Sequence, residues 1–378
     1  MSVVHVVAAG EIGGAERMLA DLASARATSG RAHSVALFTP SDALRALFRD
    51  GGLDVDDRGP VREGPLPYLA STLGPGDVRW LTGVLERRRA SIVHLHTFAS
   101  QVLGTRAARR TGARVVRTEH STRVYDDPSC WPFSRWSLRR ADAVVFISEH
   151  VQKVATARAG RLLGDRTKTS LVYNGVDTAR FAPRDRDASA ARVEPAAAPT
   201  GARPLRFVAL GRLDRRKGLD LALEALAAVP DAELDVVGGG DERAPLEALA
   251  ARLGLGARVR FAGHADDVRD AIAAADLALS SAREEGLGVA LLEAMAMDRA
   301  VVALPTGGIP EIVRDGATGW LAAERTPEAL AHAMRSAIAA GPAERRRRGS
   351  AARERVVETF SLDAMRAGYE AVYARLTP

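Results

Sequence analysis

The chain has 378 residues and a mass of 40.1 kDa, with 47% hydrophobic residues, 26% charged residues and a mean hydropathy of -0.08. That is too long for one ordinary core and too evenly mixed for a disordered tail or a disulfide-built miniprotein, so two or three folded domains are expected. The formal charge of +6 sits in the first half, where residues 1–180 hold 26 Lys+Arg against 18 Asp+Glu and leave 27 against 29 for the remainder.

No apolar run approaches the roughly 18 residues of a membrane-spanning helix. The opening MSVVHVVAAG lacks the basic flank and cleavage site of a signal peptide, so a cytoplasmic location is expected. Cys130 is the single cysteine, which excludes an internal disulfide and any cysteine-based zinc cluster.

In chain order, Val3–Ala8, Ser34–Phe38, Ile92–Leu95, Val115–Thr118 and Ala143–Ile147 read as strands separated by amphipathic helices. This alternation predicts a parallel sheet covered on both faces. Residues 106–140 carry nine arginines, which either face phosphate groups of an acceptor, a lipid surface or nucleic acid, or form a solvated surface. The periodicity lapses over 181–204, a stretch rich in Pro, Ala and charge, which is read as the linker between a domain at 1–180 and a second at 205–360. A second alternating series follows, through LRFVAL, ELDVVG, RVRFAG, DLALSS and AVVALP. After Thr326 the chain turns helical. The last helix, within 361–378, is expected to start at Ser361 with Asp363 in its first turn and to pack back toward the first domain.

Three segments carry chemistry. After the first strand, Gly10, Gly13 and Gly14 open a helix, where backbone approaches a ligand closely and the helix start favours an anion. The spacing is not the G-x-G-x-x-G of a dinucleotide site, and the second strand ends in LFTP without an acid, so a dehydrogenase is disfavoured. In GRLDRRKG, Arg212 and Lys217 sit in a strand-to-helix loop and suit a diphosphate. Only three of the 53 basic residues are lysines, so a lysine here points to a need for a compact ammonium. Finally, Glu285, Gly286, Leu287 and Gly288 form a turn before a helix over 289–297. Glu293 lies about 7 Å further along its axis at about 1.5 Å per residue. Two carboxylates so placed contact different parts of one elongated ligand and do not obviously flank one bond as a glycosidase requires.

GGAERML, VHLHT, RTEHS, YNGVD, GRLDRRKG, VVGGGDE, FAGHADDV and EEGLGVALLEAMA, in this order, resemble glycosyltransferase family 4, the retaining nucleotide-sugar enzymes of GT-B fold. The resemblance covers nearly the whole chain and is most specific in the two glutamates separated by seven residues. It implies an α/β GT-B architecture, two Rossmann-like domains with parallel sheets facing across a cleft, the first on the acceptor side and the second binding the donor. By the same resemblance, Glu285 and the backbone of Gly286, Leu287 and Gly288 would hold the donor sugar and Glu293 the ribose. Arg212 and Lys217 would hold the diphosphate, Gly13 and Gly14 would approach donor phosphate or acceptor, and His120 would sit near the transferred sugar. His94 and His96 end a strand near the cleft, as core histidines or as ligands to substrate.

The sequence departs from the family pattern in carrying Leu287 where phenylalanine is usual, and Asp298-Arg299-Ala300 where Gly-x-Pro is usual. The expected reaction transfers a sugar from a nucleotide-diphosphate donor, UDP- or GDP-linked, to a glycan, lipid or small-molecule acceptor. It proceeds with retention, the leaving phosphate helps to remove the acceptor proton, and neither metal nor other cofactor is needed. Two alternatives are a nucleotide-sugar epimerase of related fold and a non-catalytic nucleotide-sugar binder. Peripheral contact with an anionic membrane is a further expectation from the basic first half. Nucleic acid is not expected as a partner, because the arginines lack interleaved aromatics and aromatic residues total 5%.

Overall fold

The computed structural model describes all residues except 24–29, 61–73, 128–129, 164–167, 185–202 and 378. The chain forms two compact units, Met1–Asn174 with Leu362–Pro378, and Gly175–Ser361. The division therefore falls at Asn174, ahead of the 181–204 stretch read as linker. Residues 181–184 and 203–204 belong to the second unit, and 185–202 lie outside the described residues. One physical reason is local: the Val176 N–H donates to the Phe360 carbonyl at 2.9 Å and Phe181 is buried, so 175–184 is packed structure.

The first unit is built on a seven-stranded parallel sheet: β1 Ser2–Ala8, β2 Ala32–Phe38, β3 Asp54–Asp57, β4 Ala90–Leu95, β5 Arg114–Glu119, β6 Ala143–Phe146 and β7 Lys168–Leu171, in the order β3-β2-β1-β4-β5-β6-β7. Val3, Val4, Val6 and Val7 of β1 are buried along with His5, the continuous burial that a sheet covered on both faces imposes. The terminal helix Leu362–Leu376 is part of this unit. Its Leu362, Met365, Tyr369, Val372 and Tyr373 recur at helical spacing and pack on Val3, Ile92, Val116 and Val145. Each such buried side chain contributes roughly 1.5–3 kcal/mol.

The second unit holds six parallel strands: β8 Leu205–Leu210, β9 Ala232–Val237, β10 Val259–Gly263, β11 Leu277–Ser280, β12 Val301–Ala303 and β13 Gly319–Leu321, in the order β10-β9-β8-β11-β12-β13. Both sheets reverse their strand order beside the first strand of the unit, between β1 and β4 and between β8 and β11. In open parallel sheets the crevice beyond the carboxyl ends of such a pair is where ligands bind. The loops after β1, β4, β8 and β11 are the ones that carry the glycines, histidines, cations and glutamate singled out above.

β3, β7 and β13 carry no sequence signal of the kind used here. β3 is DVDD, an edge strand whose acids pair with Arg45, Arg87 and Arg88. Charged edges of this sort deter pairing with another chain.

Candidate functional site

In the second unit, β8 runs into a loop that turns at Gly211 and closes in the short 3-10 turn Arg215–Lys217. Asp214 caps that turn by accepting from the Arg216 N–H at 3.0 Å. β11 runs into the loop 281–288 and then the helix Val289–Ala296. The two loops are tied together. Ser281 Oγ donates to the Lys217 carbonyl at 3.2 Å, the Arg283 N–H donates to the Arg216 carbonyl at 2.7 Å, and Arg283 pairs with both oxygens of Asp220.

Across this frame Lys217 Nζ donates to Glu285 Oε2 at 2.6 Å, with both side chains partly exposed. They line one crevice together with Gly211, Arg212, Ser281 and Gly288. The exposed Arg212 side chain shares the crevice with the lysine.

The helix beyond begins at Gly288, whose φ of +105° is strained for any residue with a Cβ. Its N-cap makes no side-chain hydrogen bond, and Gly288 and Glu285 both line the crevice at the positive end of the helix dipole. Leu287 is buried, Gly286 is half-buried, and Glu293 is half-buried on the helix, outside the residues lining the crevice.

A part missed at the sequence level is Gly307-Gly308, after β12. The Gly308 N–H donates to the Glu285 carbonyl at 3.2 Å, and a Cβ at Gly307, where φ is +57°, would lie 1.8 Å from that carbonyl oxygen. Two glycines therefore let a third loop press against the backbone of Glu285 and fix its direction. The signal was in PTGG, visible as a glycine pair but with no indication of what it packed against.

In the first unit, the loop after β1 and the loop after β4 are joined by the Ala8 N–H donating to Thr97 Oγ1 at 3.2 Å. The Gly13 N–H is already taken by the buried Glu16 carboxylate at 2.9 Å. A side chain at Gly14 would meet nothing within 4 Å, so the protein's own packing does not demand glycine there.

His120 follows β5, half-buried, and belongs to a group that sequence reading saw only in part. His96 Nδ1 lies 3.4 Å from His120 Nε2, His5 Nδ1 lies 3.0 Å from His96 Nε2, and His5 Nε2 lies 2.9 Å from His33 Nδ1. His94 stands beside this series with its two ring nitrogens 2.6 Å from Tyr373 Oη and 2.7 Å from Thr118 Oγ1. Burial pushes His5, His94 and His96 well below the usual imidazole range, with neighbouring histidines adding to the effect, and pushes His120 down to about 4. All four rings are neutral near pH 7.

The nitrogens of His5, His94 and His96 lie within 4.8 Å of one another, the one such group among the described residues. Hydroxyl groups already occupy both nitrogens of His94, which fits a hydrogen-bonded core histidine better than a cation ligand.

Comparison with known proteins also yields two parts, separated between 180 and 194, a few residues after the structural division at Asn174. The family model for Glycosyltransferase Family 4 matches residues 12–180, and that for Glycosyl transferases group 1 matches 194–355. The chain is 36% identical over 250 residues to the GDP-mannose-dependent alpha-(1-6)-phosphatidylinositol monomannoside mannosyltransferase of Mycolicibacterium smegmatis. That alignment covers 61% of this chain and 63% of the relative, so the match spans less than two thirds of the relative's length. A D-inositol 3-phosphate glycosyltransferase of Geodermatophilus obscurus is 30% identical over 334 residues, covering 79% of this chain and 73% of its own. Among solved structures, HepE of Anabaena in complex with UDP and glucose superposes with a TM-score of 0.81 at 22% identity, over 98% of this chain and 99% of that one. At that identity the likeness concerns the fold, the two-unit α/β architecture of the GT-B class.

Proposed function

The chain belongs to glycosyltransferase family 4, and on that premise we propose that it moves a sugar from a nucleotide-diphosphate donor, UDP- or GDP-linked, to a glycan, lipid or small-molecule acceptor. The observation that carries this reading is the Lys217–Glu285 pair at the mouth of the β8/β11 crevice. An ammonium has three donors, so Lys217 can keep Glu285 and still bind two phosphate oxygens. Arg212 adds a planar fork for the same diphosphate. Glu285, acceptor-only when ionised, retains lone pairs for sugar hydroxyls, and the uncapped helix start supplies backbone donors and a favourable dipole.

The physical demand of the reaction is to stabilise negative charge that grows on the departing diphosphate as the anomeric C–O bond breaks. Fixed cations and amides aimed at that charge meet it without reorganisation. The relative named for GDP-mannose and the UDP complex of HepE support a nucleotide-sugar donor. Retention at the anomeric carbon, ribose binding by Glu293, approach of substrate to Gly13 and Gly14, and a cytoplasmic setting with peripheral contact to anionic lipid through the arginines of 106–140 belong to the same proposal. No helix among the described residues is long and apolar enough to cross a membrane.

The test is a panel of uridine, guanosine and adenosine diphosphate sugars in thermal-shift and transfer assays, on the native chain and on Glu285→Gln and Lys217→Ala. A donor that stabilises the native chain, with transfer falling about 100-fold or more in each variant while both stay folded, is expected. Wild-type turnover in both variants would overturn the assignment.

A further inference from the structure

The first unit contains a series of four imidazoles leading inward from Glu370 on the terminal helix: His33 on β2, His5 on β1, His96 just after β4 and His120 just after β5. Glu370 is held by Arg31 at 2.9 Å and lies 3.8 Å from His33 Nε2. The three ring-to-ring contacts that follow are 2.9, 3.0 and 3.4 Å. At the far end His120 Nδ1 is shielded from solvent and has no hydrogen-bond partner. A buried polar atom left unpaired costs about 1–3 kcal/mol, which a ligand would recover.

Each neutral imidazole has one donor and one acceptor, so a series of them must point one way throughout or leave a clash of two donors or two lone pairs. Every contact here joins the Nε2 of one ring to the Nδ1 of the next on the Glu370 side. Two directions are open. With Nδ1–H rings, His33 turns a lone pair toward a carboxylate, which repels it. With Nε2–H rings, His33 presents its N–H to Glu370, His5 donates to His33, His96 to His5 and His120 to His96.

We infer that Glu370, through His33, His5 and His96, locks His120 as the Nε2–H tautomer, so that its Nδ1 is a permanent acceptor for a hydroxyl of the substrate. The identity of that hydroxyl as a sugar or acceptor-alcohol group rests on the transferase reading; the lock does not. The other polar groups packed around the series fit this direction without joining it. His94 is engaged by Tyr373 and Thr118, and Tyr369 Oη lies 3.2 Å from Thr118 Oγ1. Arg31 donates to Glu370 and also acts electrostatically on His33, the outermost ring. Glu370, His33, His5 and His96 are positioning residues; His120 makes the contact.

The test is nitrogen-15 NMR of histidine-labelled full-length chain near neutral pH, without substrate. The expected result is Nε2–H for His33, His5, His96 and His120 together. Glu370→Gln, on the surface, should convert the His120 signal to a mixture of tautomers, and Glu358→Gln, in the other unit, should leave it unchanged. His5→Phe should release His120 in the same way. His5→Gln should keep it locked, because an amide can accept from His96 and donate to His33.

In transfer assays the release variants should raise KM for the hydroxyl-bearing substrate by about tenfold, with His5→Gln close to the native value. His120 as Nδ1–H in the native chain, a His120 tautomer indifferent to Glu370→Gln, or a stoichiometric metal on His5 and His96 would each overturn the lock. Absence of transfer with every donor would overturn the transferase reading alone, since the tautomer pattern is read without turnover.

Discussion

Lowering the pH from 7.5 to 5.5 should selectively destabilise the first unit. Four rings, the buried His5, His94 and His96 and the half-buried His120, have folded-state pKa values driven down by desolvation, His120 to about 4. In the unfolded chain each returns to about 6.5. A depressed folded pKa means that the stabilising effect is complete above the unfolded value and is lost as pH falls below it, because the unfolded state then binds protons that the folded state refuses. At pH 5.5, one unit below the reference, each ring that stays neutral in the folded state costs about 1 kcal/mol or a little more, so the four together cost up to about 5 kcal/mol. His33, where burial and Glu370 act in opposite directions, is left out of that sum.

A loss of this size rivals the whole stability of an ordinary domain, about 5–15 kcal/mol. The strongly lowered carboxylates, Asp267 and Glu344 at about 2, titrate far below this window and add nothing to it. The second unit has no buried histidine among its described residues, His264 and His332 both being exposed, so it serves as an internal control. The assay is hydrogen exchange of the amides of β1 and β4 against those of β8 and β11, corrected for intrinsic rates. The opening free energy of the first pair should fall by about 5 kcal/mol between the two pH values while the second holds within about 1 kcal/mol. Equal behaviour of both sheets, or no change in β1 and β4, would refute the reasoning that these rings are buried neutral.

Three further outcomes are expected. Gly307→Ala forces a Cβ into the Glu285 carbonyl at a positive φ, so the second unit should lose at least about 2 kcal/mol in urea unfolding, and any donor-induced thermal shift should disappear. Arg117 is fully buried, donating through Nε to Glu119 at 2.9 Å and through Nη1 to the Ser134 carbonyl at 3.1 Å. Arg117→Met should therefore cost about 3–5 kcal/mol by stranding Glu119, and the double variant with Glu119→Gln should cost measurably less. Asp298 sits at φ +59°, the left-handed region, so Asp298→Gly should raise stability by about 0.5–1 kcal/mol in the same unfolding assay.

The position of Asp298 clarifies one departure from the family pattern. Glycine is usual there, and the backbone still adopts the glycine conformation, with Gly349 of the helix Gly341–Thr359 packed on the Asp298 carbonyl. Leu287, replacing the usual phenylalanine, remains a buried apolar anchor. Both changes leave the Glu285 loop where the sequence placed it.

The alternation of apolar runs was enough to read ten of the strands and the parallel sheets, because a strand buried on both faces must be apolar along its length. The placement of Lys217 and Glu285 in loops was equally visible, since both motifs lie within a few residues of a strand end and topology fixes where such ends lead. What the sequence could not disclose depends on contacts between distant segments. DVDD has no apolar signature because β3 is an edge, and the division after Asn174 is set by packing of 175–184. Gly307 matters only because another loop's carbonyl arrives beside it. Likewise the histidines at 5, 33, 96 and 120 are isolated residues along the chain, and become one hydrogen-bonded series only when β1, β2, β4 and β5 are laid side by side. Periodicity reports which face of an element is buried; it carries no information about which polar atoms meet once the faces close.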